Sequence, residues 1–135
     1  MRRQDWQERL WATLQAKEPR PFYYGACVAL AAECVDAMTD SSFRQDTAPL
    51  IAAAKERPIE LEELKALVTE RLGEPVPINL ACQGDLALLE LPQLPGTGNG
   101  VALGICTGPL IACARYPAGV TYLKLHKAKA VWRVR

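Results

Sequence analysis

Apolar residues in the first half of the chain recur at helical spacing. Trp6, Leu10, Trp11 and Leu14 share one stripe, predicting a helix over 3–17 that Pro19 and Pro21 terminate. Cys27, Leu30, Ala31, Cys34, Val35 and Met38 fall at i, i+3, i+4, i+7, i+8 and i+11. They predict a second helix over 26–38 with one continuous apolar face, which needs a flat apolar partner such as a sheet. Thr39-Asp40-Ser41-Ser42 breaks the pattern. A short helix over 47–54 follows, closed by Pro58, and then a longer one over 60–72 with Leu61, Leu64, Leu67, Val68 and Leu72 on one side. Gly73 and Pro75 stop that helix, and Pro75-Val76-Pro77-Ile78 reads as a stiff connector.

The period changes near Gln83-Gly84-Asp85. From there short apolar runs alternate with turns: 86–90, 100–106, 110–114, 119–123 and 131–134. Thr107-Gly108-Pro109 and Tyr116-Pro117-Ala118-Gly119 are turns, and the glycine-rich 95–100 stretch is a hairpin loop. No helix follows that loop, so it lacks the geometry of a phosphate cradle. Helices first and an antiparallel meander afterwards predict an α+β fold in two layers. At 135 residues the chain is expected to be one domain over 1–135, with a helical half to about 81 and a β half from about 82.

Composition narrows the function. Half of the residues are apolar, and 16 basic residues nearly balance 15 acidic ones. That leaves no broad basic face for nucleic acid. Acidic residues gather over Glu56–Glu74 and basic ones near the C-terminus (Lys124, Lys127, Lys129, Arg133, Arg135), the latter read as a solvated edge. The N-terminus is charged rather than signal-like, and the longest apolar stretch, 26–32, is too short to insert in a membrane. A protein made in the cytoplasm, free or built into a larger particle, is expected. The five cysteines (27, 34, 82, 106, 113) form no CxxC pair. Neither a metal nor another cofactor is expected, and most of the thiols should be reduced and buried, including those in alanine-rich surroundings at Cys34, Cys82 and Cys113.

Cys27 is the candidate for chemistry. It follows Phe22-Tyr23-Tyr24-Gly25-Ala26 and opens the second helix, where amide dipoles favour a thiolate. A thiolate hydrolase also needs a base and a group to orient that base. The chain has one histidine, His126, outside the strand pattern. Tyr24 would lie near the thiol. Asp85 either caps the Gln83-Gly84 turn or stands at the active-site end of the first strand. Glu33 lies off the apolar face of the second helix. Trp6, Trp11, Phe22, Tyr23, Tyr116 and Tyr122 exceed what one small core hides, which places some of them at a partner interface.

In order and spacing these parts resemble the NlpC-type branch of papain-like cell-wall peptidases, in particular a small family encoded in tailed-phage tail modules. The resemblance rests on Arg20-Pro21-Phe22, the Cys27-led helix through Val35, Gly84-Asp85-Leu86-Ala87-Leu88-Leu89 and Trp132-Arg133-Val134. It implies a papain-like arrangement with Cys27 at the nucleophile position. It also implies a histidine at the position of Ala102, a polar orienting residue near Cys113, and His-Asp in place of Gly25-Ala26. With Ala102 and Cys113 where the partners belong, the candidate cleft of Tyr24, Asp85, Ala102 and Cys113 would be a degenerate one. The function then expected is a structural protein of the phage tail tip or of tail assembly, carried in the virion and docked to tail hub proteins. The alternative is an active cysteine peptidase cleaving peptidoglycan stem peptides during genome entry. A cytoplasmic acyltransferase of the same fold is a third reading.

Overall fold

The computed structural model describes residues 2–16, 26–54, 56, 57, 59–90, 101–114 and 119–135. Four helices come first: α1 (Trp6–Ala16), α2 (Ala26–Thr39), α3 (Phe43–Ala53) and α4 (Leu61–Leu72). A 3-10 turn at Ile78–Leu80 leads into β1 (Leu86–Glu90), β2 (Val101–Cys106), β3 (Leu110–Ala114) and β4 (Val120–Lys124). A second 3-10 turn, Leu125–Lys127, precedes β5 (Ala128–Trp132). The fold is α+β, N-terminal helices with a C-terminal antiparallel sheet, as the change of period predicts.

α2 is the central helix. Ten of its 14 residues are buried, most of them alanine, cysteine or valine, and it packs across β2 and β3. α1 runs antiparallel to it, held where the Arg3 amide donates to the Met38 carbonyl (2.7 Å) and the Arg9 guanidinium reaches the Ala37 carbonyl. α3 begins at Phe43, four residues before the sequence pattern places it. The carboxylate of Asp36, on α2, accepts from the amides of Phe43 (2.7 Å) and Arg44 (2.9 Å) and so caps the start of α3 from outside the local sequence. Pro49 sits inside α3 and gives up one helical hydrogen bond there. α4 is joined to α3 by Arg71–Asp46 (2.9 Å) and to β5 by the Trp132 indole donating to Thr69 (3.2 Å).

The strand order is β4-β3-β2-β1-β5, all antiparallel. A simple meander would leave β5 beside β4. Instead β5 returns to pair with β1 at the opposite edge, Leu86 facing Trp132 and Leu89 facing Ala128. It also begins at Ala128, three residues before the run of apolar residues that marks it in the sequence. Only the turn Leu125–Lys127 joins the two edge strands. Four Cα steps reach about 15 Å, whereas four strand spacings in a flat sheet cover about 19 Å. The sheet is therefore rolled, its strands tilted so that the end of β4 comes round to the start of β5. Rolling also explains why β2 is buried along its whole length, on both faces.

Close packing on this sheet depends on Gly104. A Cβ there would lie 2.4 Å from Ile111 Cγ2 and 2.9 Å from the Ala112 carbonyl oxygen. Larger side chains would push β2 and β3 apart.

Candidate functional site

Cys27 lies in the first turn of α2, with the thiol only 3 % exposed. Its Sγ donates to the carbonyl of Ala114, at the end of β3, at 3.5 Å. A carbonyl accepts and cannot donate, so this contact holds an S–H rather than a thiolate. Burial pushes the Cys27 thiol far above its ordinary range, and the neighbouring Cys113 thiol adds to the effect. Desolvation of the anion thus outweighs the favourable helix terminus.

The strand positions facing this thiol carry no titrating base. Alternation along β2 sends Ala102 and Gly104 to the same side of the sheet. A Cβ on Gly104 would stand 3.5 Å from that of Cys113, so Cys113 points to that side as well. Ala102 and Cys113 are both buried. Burial raises the Cys113 thiol to about 11. Cys27, Ala102 and Cys113 therefore belong to one apolar neighbourhood, while Tyr24, Gly25, the Arg20-Pro21-Phe22 entry and the 95–100 loop lie outside the described residues.

His126 is far from it. It is exposed, in the 3-10 turn after β4, where the Leu125 amide donates to the Pro109 carbonyl (3.2 Å). Pro109 precedes β3 and Ala114 ends it. The length of the strand, about 13 Å at the usual rise per residue, separates the imidazole's turn from the sulfur. Glu33 is half-buried on α2.

Asp85 stands elsewhere and does something else. It is fully buried at the start of β1, and its backbone carbonyl accepts from the Cys106 amide (2.8 Å). Cys106 pairs with Ile111, three residues along β3 from Ala114, which puts Asp85 about 10 Å along the sheet from the Cys27 contact. Its carboxylate receives Arg2 Nη2 (2.8 Å), Arg133 Nε (3.2 Å), the Cys82 amide (2.9 Å) and the Val134 amide (3.4 Å). Both oxygens are occupied by groups from the two ends of the chain and from the turn before β1. Gly84, in the left-handed region at φ 90°, completes that turn beneath Trp6, where a Cβ would meet the indole at 2.8 Å.

All five cysteines are thiols rather than disulfides. Four are buried, but Cys82 is exposed, contrary to the expectation from its alanine-flanked position. It lies in the segment between the Ile78–Leu80 turn and β1, where an adjacent alanine marks no helix face and no strand. Among the described residues no group of three or more His, Cys, Asp or Glu is placed to hold a metal ion. No helix among them is long and apolar enough to cross a membrane.

Two groupings escaped the sequence reading. One is the pair of arginines on Asp85, 83 and 48 residues away in sequence. The other is a depression lined by Trp11, Leu14, Gln15 and Tyr122. The surplus of aromatic residues hinted at the second; nothing local signalled the first.

Taken together, these features define a small α+β domain in which a thiol at a helix start is sealed against a rolled antiparallel sheet. The chain belongs to the family described as a domain of unknown function, DUF6950, whose model matches residues 1–134. No curated protein matches it.

Proposed function

We propose that this protein is a structural component of a phage tail tip or of tail assembly. In this reading an NlpC-like peptidase fold has lost its chemistry and serves as a docking module for tail hub proteins. The observation that carries the loss of chemistry is the state of Cys27: buried, donating to a backbone carbonyl, and with the Cys113 thiol rather than an imidazole as its titratable neighbour. A peptidase must hold a thiolate or ion pair ready and return a proton to the leaving amine. Neither the aliphatic Ala102 nor a thiol titrating near 11 does so at neutral pH. Loss of a triad member lowers such rates by orders of magnitude. The tail assignment itself is supported by the resemblance of the Cys27-led helix, the Gly84-Asp85 strand and the Trp132-Arg133-Val134 ending to tail-module proteins.

The test is a phage whose own copy carries Cys27→Ser, with the protein quantified in purified particles. The expected result is fixed stoichiometry in wild-type and variant particles, unchanged infectivity, and no release of stem peptides from peptidoglycan by the purified protein. Peptidoglycan cleavage that disappears with Cys27→Ser would replace this reading with the peptidase one. Absence from particles and from tail-assembly intermediates would remove the tail assignment.

A further inference from the structure

The large apolar side chains exposed among the described residues are Trp11, Leu80, Leu110 and Tyr122. Three of them gather at one edge of the molecule. Trp11 (37 % exposed) on α1 and Tyr122 (45 % exposed) on β4 line a single depression of about 260 Å³ with Leu14 and Gln15. Leu110 is opposite Lys124 in the β3–β4 register and Ala112 is opposite Tyr122, so Leu110, Tyr122 and Lys124 share one face of the sheet. β4 is the outermost strand on that side. An indole and a phenol flanking a shallow depression, with a leucine beside them, form the kind of rigid aromatic anchor on which protein contacts concentrate.

On the β4 side of this edge the charges are one-sided. Lys124 on β4 and Lys127 in the turn after it are exposed, and neither makes an ion pair among the described residues. The chain has six basic residues and no acidic one after Glu90, against ten basic and fifteen acidic up to that point. The near-neutral total conceals a cationic β half. On the α1 flank Glu8 stands one helical turn before Trp11.

We propose that the α1–β4 edge is the docking surface for an extended acidic segment of another protein. The segment seats an apolar side chain between Trp11 and Tyr122 and sets its carboxylates against Lys124 and Lys127. Charge selects this occupant over a second copy. A symmetric dimer through the edge would bring β4 against β4, and that part of the chain contains no carboxylate to answer the lysines. The proposal rests on the docking reading above and gives the chemistry of the partner.

The test uses the full chain and two fluorescein-labelled nonapeptides, one alternating glutamate with leucine and the other lysine with leucine. Anisotropy should show the acidic peptide binding at least tenfold more tightly than the basic one, and more weakly as salt rises. Tyr122→Ala and Lys124→Glu, both at exposed positions, should each weaken that binding tenfold or more, while Leu80→Ala leaves it unchanged. Equal binding of the two peptides, no binding of either, or binding indifferent to Tyr122→Ala and Lys124→Glu would overturn the proposal. A dimer in sedimentation that Tyr122→Ala dissolves would also overturn it, by giving the edge to a second copy. If the peptide result fails while the chain is still found in particles, only this surface is lost. If the chain is absent from particles while the peptide binds, the docking reading is lost instead.

Discussion

The guanidinium of Arg2 lies 2.8 Å from the carboxylate of Asp85, joining the start of the chain to the start of its sheet across 83 residues. Arg2 also donates to the carbonyls of Gln83 (2.9 Å) and Val134, and its plane stacks 4.2 Å from the centre of the Trp6 ring. Asp85 has no exposed surface, so its charge is compensated entirely from within. Removing the carboxylate strands two guanidinium groups and two amides. Asp85→Ala is expected to cost about 3 kcal/mol or more, in the range for breaking a buried pair. Arg133→Ala should cost less, because that side chain is 33 % exposed and its bond is longer. Urea unfolding of the two variants checks the order.

Thiol chemistry distinguishes the cysteines directly. Cys82 alone is exposed, while Cys27, Cys34, Cys106 and Cys113 are buried. An aromatic disulfide reagent should titrate one thiol per native chain rapidly and the other four only on unfolding. Cys82→Ser should abolish the rapid phase. A second rapid thiol belonging to Cys27 would contradict the sealed site.

Alkaline pH should weaken the fold. Burial raises the Cys113 thiol to about 11 and the Cys106 thiol to about 12, from an ordinary 9.0, and moves Cys27 in the same direction. A group whose pKa is raised on folding holds its proton more tightly in the native state. Its contribution is complete below the unfolded pKa and is lost as pH climbs towards the folded value. Stability should therefore be flat with respect to these thiols up to about pH 8 and fall from about pH 9 to 12, by on the order of 2 kcal/mol for Cys113 alone. Urea midpoints at pH 7.5, 9 and 10.5 would reveal the slope, and Cys113→Ala should reduce it.

Gly104→Ala is expected to destabilise by about 1–3 kcal/mol, the usual cost of overfilling a packed core. The new methyl would overlap Ile111 at 2.4 Å and a backbone oxygen at 2.9 Å, and the backbone cannot withdraw without loosening the β2–β3 pairing. Gly104→Ala combined with Ile111→Val should recover part of the loss, measurable in the same unfolding experiment.

How much of this was legible in the sequence depended on how local the cause was. The apolar face of α2, from Cys27 to Met38, follows from spacing alone, since one helix face must be buried whatever it meets. The stop of α4 at Gly73 and the starts of β1 and β3 follow in the same way. The start of α3 does not, because its capping carboxylate belongs to Asp36 on the preceding helix. Nor does the partner of β5, since an alternating strand pattern states which face is buried but not which neighbour it pairs with. Cys27 was legible as a helix-start thiol, and Ala102 and Cys113 as small apolar positions on buried strands. The depth at which the sulfur is sealed depends on Ala114, 87 residues away, and no pattern within a window of the chain encodes that.

The return of β5 to β1 has a consequence for how the protein is made. During synthesis β1 has β2 on one side soon after residue 106 appears, but its other edge stays open until 128–132 have left the ribosome. Leu86–Leu89 are wholly buried in the finished molecule, so for that interval the nascent polypeptide displays a bare, greasy strand border of the kind that seeds aggregation. A chain cut short before Ala128 would remain in that condition permanently.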